Sequence, residues 1–305
     1  MHHSLLSRVE GCLLGMVLGE FLGRSPGPET PFTPTDWTTL PLHWSPLVLA
    51  SIQAWTTFPR LDATTPWEIP GFDTAPDANP DSWPLLLLPL ALYYHDDLGQ
   101  QRQALIPAFE QWAVPTGDRH WLVLWAYAIA AALKQQLDPH HFCSQAQAYS
   151  RVVLGDEDPT ALLRDLHQIE QDGLGTGLAE IPSTWQRSPL PTLAIALSAF
   201  LQTPDHWHLV VNRSLAWGRA LSPDGSLAGL GAIAGALTGA YTSHVGIAST
   251  DQSLPAIAQS RVLRTAIHEL AAAFLATWSG CYDPTAIAPT AAVTAPWVMR
   301  SSSQF

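Results

Sequence analysis

The amino-acid sequence predicts a single all-α domain, and three observations support that fold class. Apolar residues recur with helical spacing over most of the 305 residues, clusters of proline or Asp/Asn/Gly separate these segments, and convincing strand patterns are absent. The sequence also shows no change of composition at a domain boundary and no repeat of about 20–50 residues. We therefore expect one helical domain over residues 1–283 and a C-terminal tail over residues 284–305.

The first half of the chain contains six predicted helices, which helix breakers separate. The segment SPGPETPFTPTD at 25–36 follows the first helix, and PGFDTAPDANPD at 70–81 follows the second. Long apolar runs begin at Leu85 and at Trp121 and form the third and fifth helices. The six helices are predicted at 7–23, 45–56, 83–95, 100–113, 120–136 and 140–153.

Five further helices are predicted in the second half of the chain. The turn SPDGSLA at 222–228 precedes the most glycine-rich of them. These helices are predicted at 158–170, 189–202, 205–220, 228–243 and 257–280.

The composition argues against nucleic-acid and membrane partners. The formal net charge is -12, Lys134 is the only lysine and the arginines are scattered, whereas such partners require clustered basic residues. The longest apolar runs are shorter than the ~20 residues of a bilayer-spanning helix. With 47% hydrophobic residues, 13% charged residues and 13 tryptophans, the chain is unusually apolar, so we expect an extensive buried core.

The cysteines and the first residues indicate the compartment. Cys12, Cys143 and Cys281 are odd in number and far apart, which fits a reducing compartment better than a disulfide framework. The opening MHHSLLSRVEGCLLG lacks the charged segment and cleavage site of a signal peptide. We therefore expect a cytoplasmic protein.

Glycines recur at every fourth position in two of the predicted helices. Gly11, Gly15, Gly19 and Gly23 lie in the first helix, and Gly231, Gly235 and Gly239 lie in the tenth. Each interior glycine costs a helix ~1 kcal/mol relative to alanine, so an interaction must offset that cost. Rows of residues four apart form packing ridges, and glycine allows two backbones to approach closely. The spacing thus predicts that these helices pack together, either for packing alone or also to bring their adjoining loops around a pocket.

Four segments occur in an order that is typical of one known family. They are RVEGCLLGMVLGEFLG at 8–23, LPLALYYHDD at 88–97, TLAIALSAFLQTPDHWHLVVNRSLAWG at 192–218 and AIAGALTGAY at 232–241. The first is similar to R-x-x-G-x-L-L-G-x-x-x-G-D-A-L-G and the last to A-A-I-A-G-A-L-x-G-A-Y, both motifs of the ADP-ribosylglycohydrolase family. The resemblance implies an orthogonal multi-helical all-α fold, ADP-ribosyl hydrolysis and a dinuclear magnesium or manganese centre.

The first metal-binding motif of that family is altered in this chain. A T-D-D-T segment opens the second helix in the family and supplies oxygen ligands, which hard divalent cations prefer. The matching stretch here is HWSPLVLASIQAW at 43–55. Ser45 takes the place of the threonine, and Pro46 and Leu47 replace the two aspartates. Neither Pro46 nor Leu47 has a side chain that binds a cation.

The second motif, D-T-D-T before the last glycine helix, is altered as well. Residues 226–229 occupy it, with Ser226 and Ala228 in the aspartate positions. Asp224 lies two residues earlier and replaces a lost ligand only if the loop is remodelled. The aspartate of the G-D-A-L-G motif becomes Glu20, with Glu29 as a nearby acid in a proline-rich loop. We therefore predict that the chain does not bind the family's metal pair and we expect no other cofactor; magnesium or manganese would be the cofactor only if the family site were retained.

Other motifs are weaker. GLGAIAG at 229–235 lacks the preceding strand of a dinucleotide-binding loop. The histidine clusters DPHHFC at 138–143 and DHWH at 205–208 lack a second set of metal ligands, so we interpret them as helix starts with exposed imidazoles.

Three functional hypotheses follow from the sequence. The first is a metal-free, noncatalytic protein of this fold that binds an ADP-ribose-like molecule or a protein partner. The second is an active ADP-ribose hydrolase with a rearranged site; its candidate residues are Glu20, Glu29, Ser45, Asp73, Asp77 and Asp224. The third is a subunit of a larger complex, which exposed tryptophans would favour because tryptophan is enriched at interfaces.

Overall fold

The structure is a computed structural model that describes residues 3–24, 42–57, 83–154, 190–222, 227–248 and 260–280. Eleven helices and no strand occur in these ranges, which confirms the all-α fold class for that part of the chain. The helices are α1 (Leu5–Arg24), α2 (Trp44–Thr57), α3 (Trp83–Leu86), α4 (Leu88–Tyr93), α5 (Leu98–Gln111), α6 (Thr116–Leu133), α7 (Phe142–Leu154), α8 (Pro191–Gln202), α9 (Trp207–Leu221), α10 (Ala228–Ala248) and α11 (Arg261–Ser279).

Three predictions fall outside those ranges: the helix at 158–170, the two proline-rich loops and the boundary of the C-terminal tail. Within the described ranges, no helix combines the length and the apolar character needed to cross a membrane.

The predicted helix at 83–95 is interrupted at Leu87 and forms α3 and α4. The Leu87 carbonyl still accepts a hydrogen bond from Ala91 N (2.9 Å), so helical hydrogen bonding resumes directly in α4. Pro89 lies in the first turn of α4 and has no backbone N–H to donate to the preceding turn. The proline therefore accounts for the break.

Helix α1 is the central helix of the fold. Every residue from Ser7 to Glu20 is buried, so α1 has no solvent-facing side. A helix that is surrounded by other elements needs no polar stripe, which explains why apolar residues occur on every side of this segment. Helices α2, α6, α9, α10 and α11 all pack against it.

The contact between α1 and α10 is formed by the glycines, which confirms the predicted pairing of these helices. Gly11 faces Gly239, Gly15 faces Gly235 and Gly19 faces Gly231, while Gly23 faces the carbonyl of Leu227. Residue numbers rise along one helix as they fall along the other, so the two run antiparallel. At each of these positions an added Cβ would overlap a carbonyl group of the opposite backbone. Close backbone packing along both helices is thus the interaction that offsets the cost of the glycines.

Helix α10 is kinked near its end. Ser243 is buried and has φ 66° and ψ 175°, a conformation that residues with a side chain rarely adopt. The kink lies directly against Gly11, where an added Cβ would meet Ser243 C and His244 N. Next to this kink, the carbonyls of Ala240 and Tyr241 accept hydrogen bonds from the Arg8 guanidinium, at 3.2 and 3.0 Å. The predicted helix end at 243 thus coincides with the kink, and the chain continues helically to Ala248.

We expect Gly19→Ala to lower the free energy of unfolding by at least about 2 kcal/mol, because the new methyl group would press against the Gly231 carbonyl and separate the helices. Urea unfolding at neutral pH measures the change.

Gly117→Ala is the matched control for this prediction. Gly117 is exposed in the first turn of α6 and has no heavy atom within 4 Å of an added Cβ. Its replacement should change stability by no more than about 1 kcal/mol and in the stabilising direction. Similar losses in the two variants would contradict the close backbone contact.

Candidate functional site

Glu20 lies near the end of α1 and is completely buried. Its Oε1 accepts hydrogen bonds from His43 N (2.5 Å) and Trp44 N (3.0 Å). Its Oε2 accepts from Ser45 N (2.7 Å) and Ser45 Oγ (2.6 Å). The carboxylate therefore sits on the N-terminus of α2, which begins at Trp44.

This arrangement satisfies both partners. The first N–H groups of a helix lack carbonyl partners within the helix, and the helix dipole favours a negative charge at that end. A carboxylate offers about four lone-pair sites, and four donors occupy those of Glu20. Arg24 Nε lies 3.5 Å from Oε1 and adds a positive charge one turn further along α1. Glu20 therefore has no lone pair left for a cation unless the start of α2 is released.

The structure brings the described parts of the two stretches that the resemblance aligns with metal-binding motifs to the same end of α1. Ser45 contacts Glu20, and the beginning of α10 at Ala228 packs against Gly23. Pro46 is exposed and Leu47 is half-buried, while Leu227 and Ala228 are buried. Except for the engaged Ser45 hydroxyl, the motif side chains in the described ranges carry no oxygen or nitrogen. These residues do not fit a pair of divalent cations, which need several oxygen ligands.

The remaining candidates from the sequence lie outside the described residues. They are Glu29, Asp73, Asp77, Asp224 and Ser226. In the ranges that the structure does describe, no group of three or more His, Cys, Asp or Glu side chains is arranged to hold a metal ion.

A second polar cluster, which the sequence analysis missed, lies at the other end of α1. Glu10 is 8% exposed, and its carboxylate accepts from His244 Nδ1 (2.9 Å) and His268 Nδ1 (2.5 Å). The three residues come from α1, the end of α10 and α11, so more than 200 positions separate Glu10 from either histidine. No local spacing could reveal the contact; the one signal was a glutamate inside an otherwise apolar helix.

This cluster does not form a catalytic triad. Ser7 Oγ lies 2.9 Å from His244 Nδ1, the same nitrogen that contacts Glu10. A triad needs the serine and the carboxylate on opposite ring nitrogens, because one must accept a proton while the other donates. The cluster instead links α1 to α10 and α11.

Three of the four histidines in the sequence-predicted clusters are exposed, as expected, and His208 in the first turn of α9 is half-buried. His140 and His141 immediately precede α7, and both are exposed. Asp138 accepts from His140 N (3.0 Å) and His141 Nδ1 (2.7 Å), and these hydrogen bonds lower the pKa of Asp138. His206 is exposed at the start of α9. Both clusters thus serve as helix starts.

The described cysteines do not have the properties of nucleophiles. Cys12 is fully buried, and burial raises the pKa of its thiol. Cys143 is also buried. Reactive cysteines instead have a lowered pKa and some exposure.

Comparison of the chain with protein-family models, with curated proteins and with solved structures finds no match in any of the three.

We expect Asp118→Asn to stabilise the protein above pH 6 and to have little effect at pH 4. Asp118 is 2% exposed in the first turn of α6, its Oδ2 has no hydrogen-bond partner, and burial raises its pKa to about 6. An unfolded aspartate has a pKa of about 3.9, so the folded state holds a proton over an interval in which the unfolded chain has released it. The contribution of Asp118 to the free energy of unfolding therefore falls as the pH rises from about 4 to about 6, and it is constant above that pH.

Urea unfolding of both proteins at several pH values tests the prediction. The difference in unfolding free energy should grow to about 1–3 kcal/mol in favour of the variant at neutral pH. A difference that does not change with pH would contradict it.

Proposed function

We propose that this protein is a metal-free, noncatalytic member of the ADP-ribosylglycohydrolase fold that binds a small molecule or a protein partner. The observation that carries the proposal is the position of Glu20. The resemblance aligns Glu20 with a family aspartate beside the metal-binding motif, and here its carboxylate is fully engaged at the start of α2.

A physical substitution supports the proposal. In the family, divalent cations hold the start of the second helix through carboxylates. In this chain no cation is needed between the two helices, because the buried Glu20 carboxylate on α1 accepts hydrogen bonds directly from the first N–H groups of α2. The apolar replacements at Leu47 and Ala228 remove the negative charge that two dications need for compensation.

The hydrolase hypothesis remains the alternative. It requires at least one acid that is free to act as a base or to bind a metal, and Glu20 is not such a group. The other acidic candidates of the hydrolase hypothesis lie outside the described residues. The experiment below therefore decides between the noncatalytic protein and the hydrolase.

The larger-complex hypothesis has no support from the tryptophans. No tryptophan in the described ranges is exposed; those ranges contain Trp44, Trp55, Trp83, Trp112, Trp121, Trp125, Trp207, Trp217 and Trp278. Among the described residues, the exposed large apolar ones are Leu209, Val245 and Val262, one on each of three helices. Single apolar residues of this kind are normal on protein surfaces.

We expect Glu20→Gln to lower the free energy of unfolding by about 1–3 kcal/mol, because the amide replaces one acceptor by a donor that would face the N–H groups of α2. The loss should be equal in EDTA and in manganese chloride if Glu20 acts as a helix cap. A loss present only in manganese would show that Glu20 is a metal ligand and would overturn the proposal.

Calorimetric titration of the wild type with magnesium or manganese chloride provides the second readout. We expect no stoichiometric binding and no release of ADP-ribose from an ADP-ribosylated protein. Ser45→Ala serves as a milder control that removes one hydrogen bond and costs about 1 kcal/mol. Stoichiometric metal binding accompanied by hydrolysis would establish the hydrolase alternative.

A further inference from the structure

A polar cavity of about 420 Å³ lies at the end of α1 opposite to Glu20. Its polar lining residues include His3, Arg8, Gln135, Asp205, Tyr241 and Thr242. The volume is within the range of about 300–1,000 Å³ that is common for small-molecule pockets.

Arg8 is the unusual member of this lining. It is 5% exposed, and all of its hydrogen bonds within the described residues use Nη1. Nη1 donates to the carbonyls of Ala132 (2.7 Å), Ala240 (3.2 Å) and Tyr241 (3.0 Å), which lie at the end of α6 and before the kink of α10. Nε is buried and has no hydrogen-bond partner.

Capping of helix carbonyls explains one half of the Arg8 guanidinium and leaves the other half unexplained. A guanidinium pairs with the two oxygens of a carboxylate through parallel N–H groups, and Arg8 lines the cavity. No carboxylate of the described residues forms an ion pair with Arg8. Burial lowers the pKa of Arg8, yet a guanidinium stays charged at neutral pH, so a buried positive charge lies without a full counter-charge.

The cavity also carries a negative charge. Asp205 is exposed in the turn between α8 and α9 and lines the cavity. Both charges affect the pKa of the Tyr241 hydroxyl. Burial is the largest effect and raises this pKa, Asp205 raises it further, and Arg8 lowers it. Tyr241 therefore remains a neutral hydrogen-bonding group within electrostatic range of the guanidinium and of the carboxylate.

We propose that this cavity binds a small amino carboxylate, with the ligand carboxylate at the Arg8 guanidinium and its protonated amine at Asp205, both of which line the cavity. A ligand with both charges matches the cavity better than a simple anion, because Asp205 and the net charge of -12 disfavour an anion alone. The inference rests on the proposed function in that it names the ligand of a binding protein. Its site lies at the opposite end of α1 from Glu20, so the two proposals can fail separately.

Calorimetric titration of the full-length chain with a series of amino carboxylates tests the inference. The probes are glycine, 4-aminobutanoate and 6-aminohexanoate, and the matched controls are butanoate and butylammonium, each of which carries one of the two charges. We expect at least one zwitterion to bind with a Kd below about 1 mM and each control to bind at least about tenfold more weakly. Absence of binding by all zwitterions at about 10 mM, or equal binding of butanoate, would overturn the inference.

Variants assign the two charges of the site. Asp205→Asn alters an exposed turn residue and should weaken zwitterion binding about tenfold while urea unfolding stays unchanged. Arg8→Lys retains the charge but lacks the planar fork, so it should abolish binding; because it also disturbs the carbonyl contacts, its folding is checked by circular dichroism. Wild-type affinity in Asp205→Asn would overturn the inference. Metal binding in the Glu20 experiment would overturn the proposed function and leave this result unaffected.

Discussion

The backbone contact between α1 and α10 is the constraint on which the rest of the structure depends. Four glycines of α1 lie against carbonyl groups of α10 or of the residue before it, so no side chain separates the helices at these points. This contact keeps α1 in the centre of the molecule and fixes its two ends relative to the start and the kink of α10. Arg8 and Glu20, near those ends, are about 18 Å apart along the helix axis.

Two of the three buried charged residues of α1, Glu20 and Arg8, hold the ends of other helices with opposite charges. Glu20 accepts from the N–H groups at the start of α2, and Arg8 donates to carbonyls at the end of α6 and at the kink of α10. An anion at a helix N-terminus and a cation at carbonyl ends both follow the direction of the helix dipole. The difference lies in how completely each charge is used. The Glu20 oxygens are saturated, whereas Arg8 Nε has no partner and the guanidinium borders a cavity, which is why we assign ligand binding to the Arg8 end.

Much of the fold was predictable from local sequence, and the polar contacts were not. Glycine spacing predicted the α1–α10 pair because both halves of the interface repeat every fourth residue. The break at Leu87 could have been inferred from Pro89, whereas nothing near Ser243 indicates its positive φ. The resemblance placed Glu20 and Ser45 among the candidates for one site, but their hydrogen bonds could not be predicted, because residues 25–41 separate α1 from the start of α2 and give no register. The family resemblance directed attention to these positions but suggested metal ligands rather than a helix cap.

We propose that the Glu20 carboxylate holds the start of α2 without a metal ion. A crystal structure of the protein grown with manganese chloride, with anomalous data collected near the manganese edge, tests it most directly. We predict no anomalous peak where the ends of α1, α2 and α10 meet, with the Glu20 oxygens still within hydrogen-bond distance of Trp44 N and Ser45 N. A manganese peak within coordination distance of Glu20 would contradict the account.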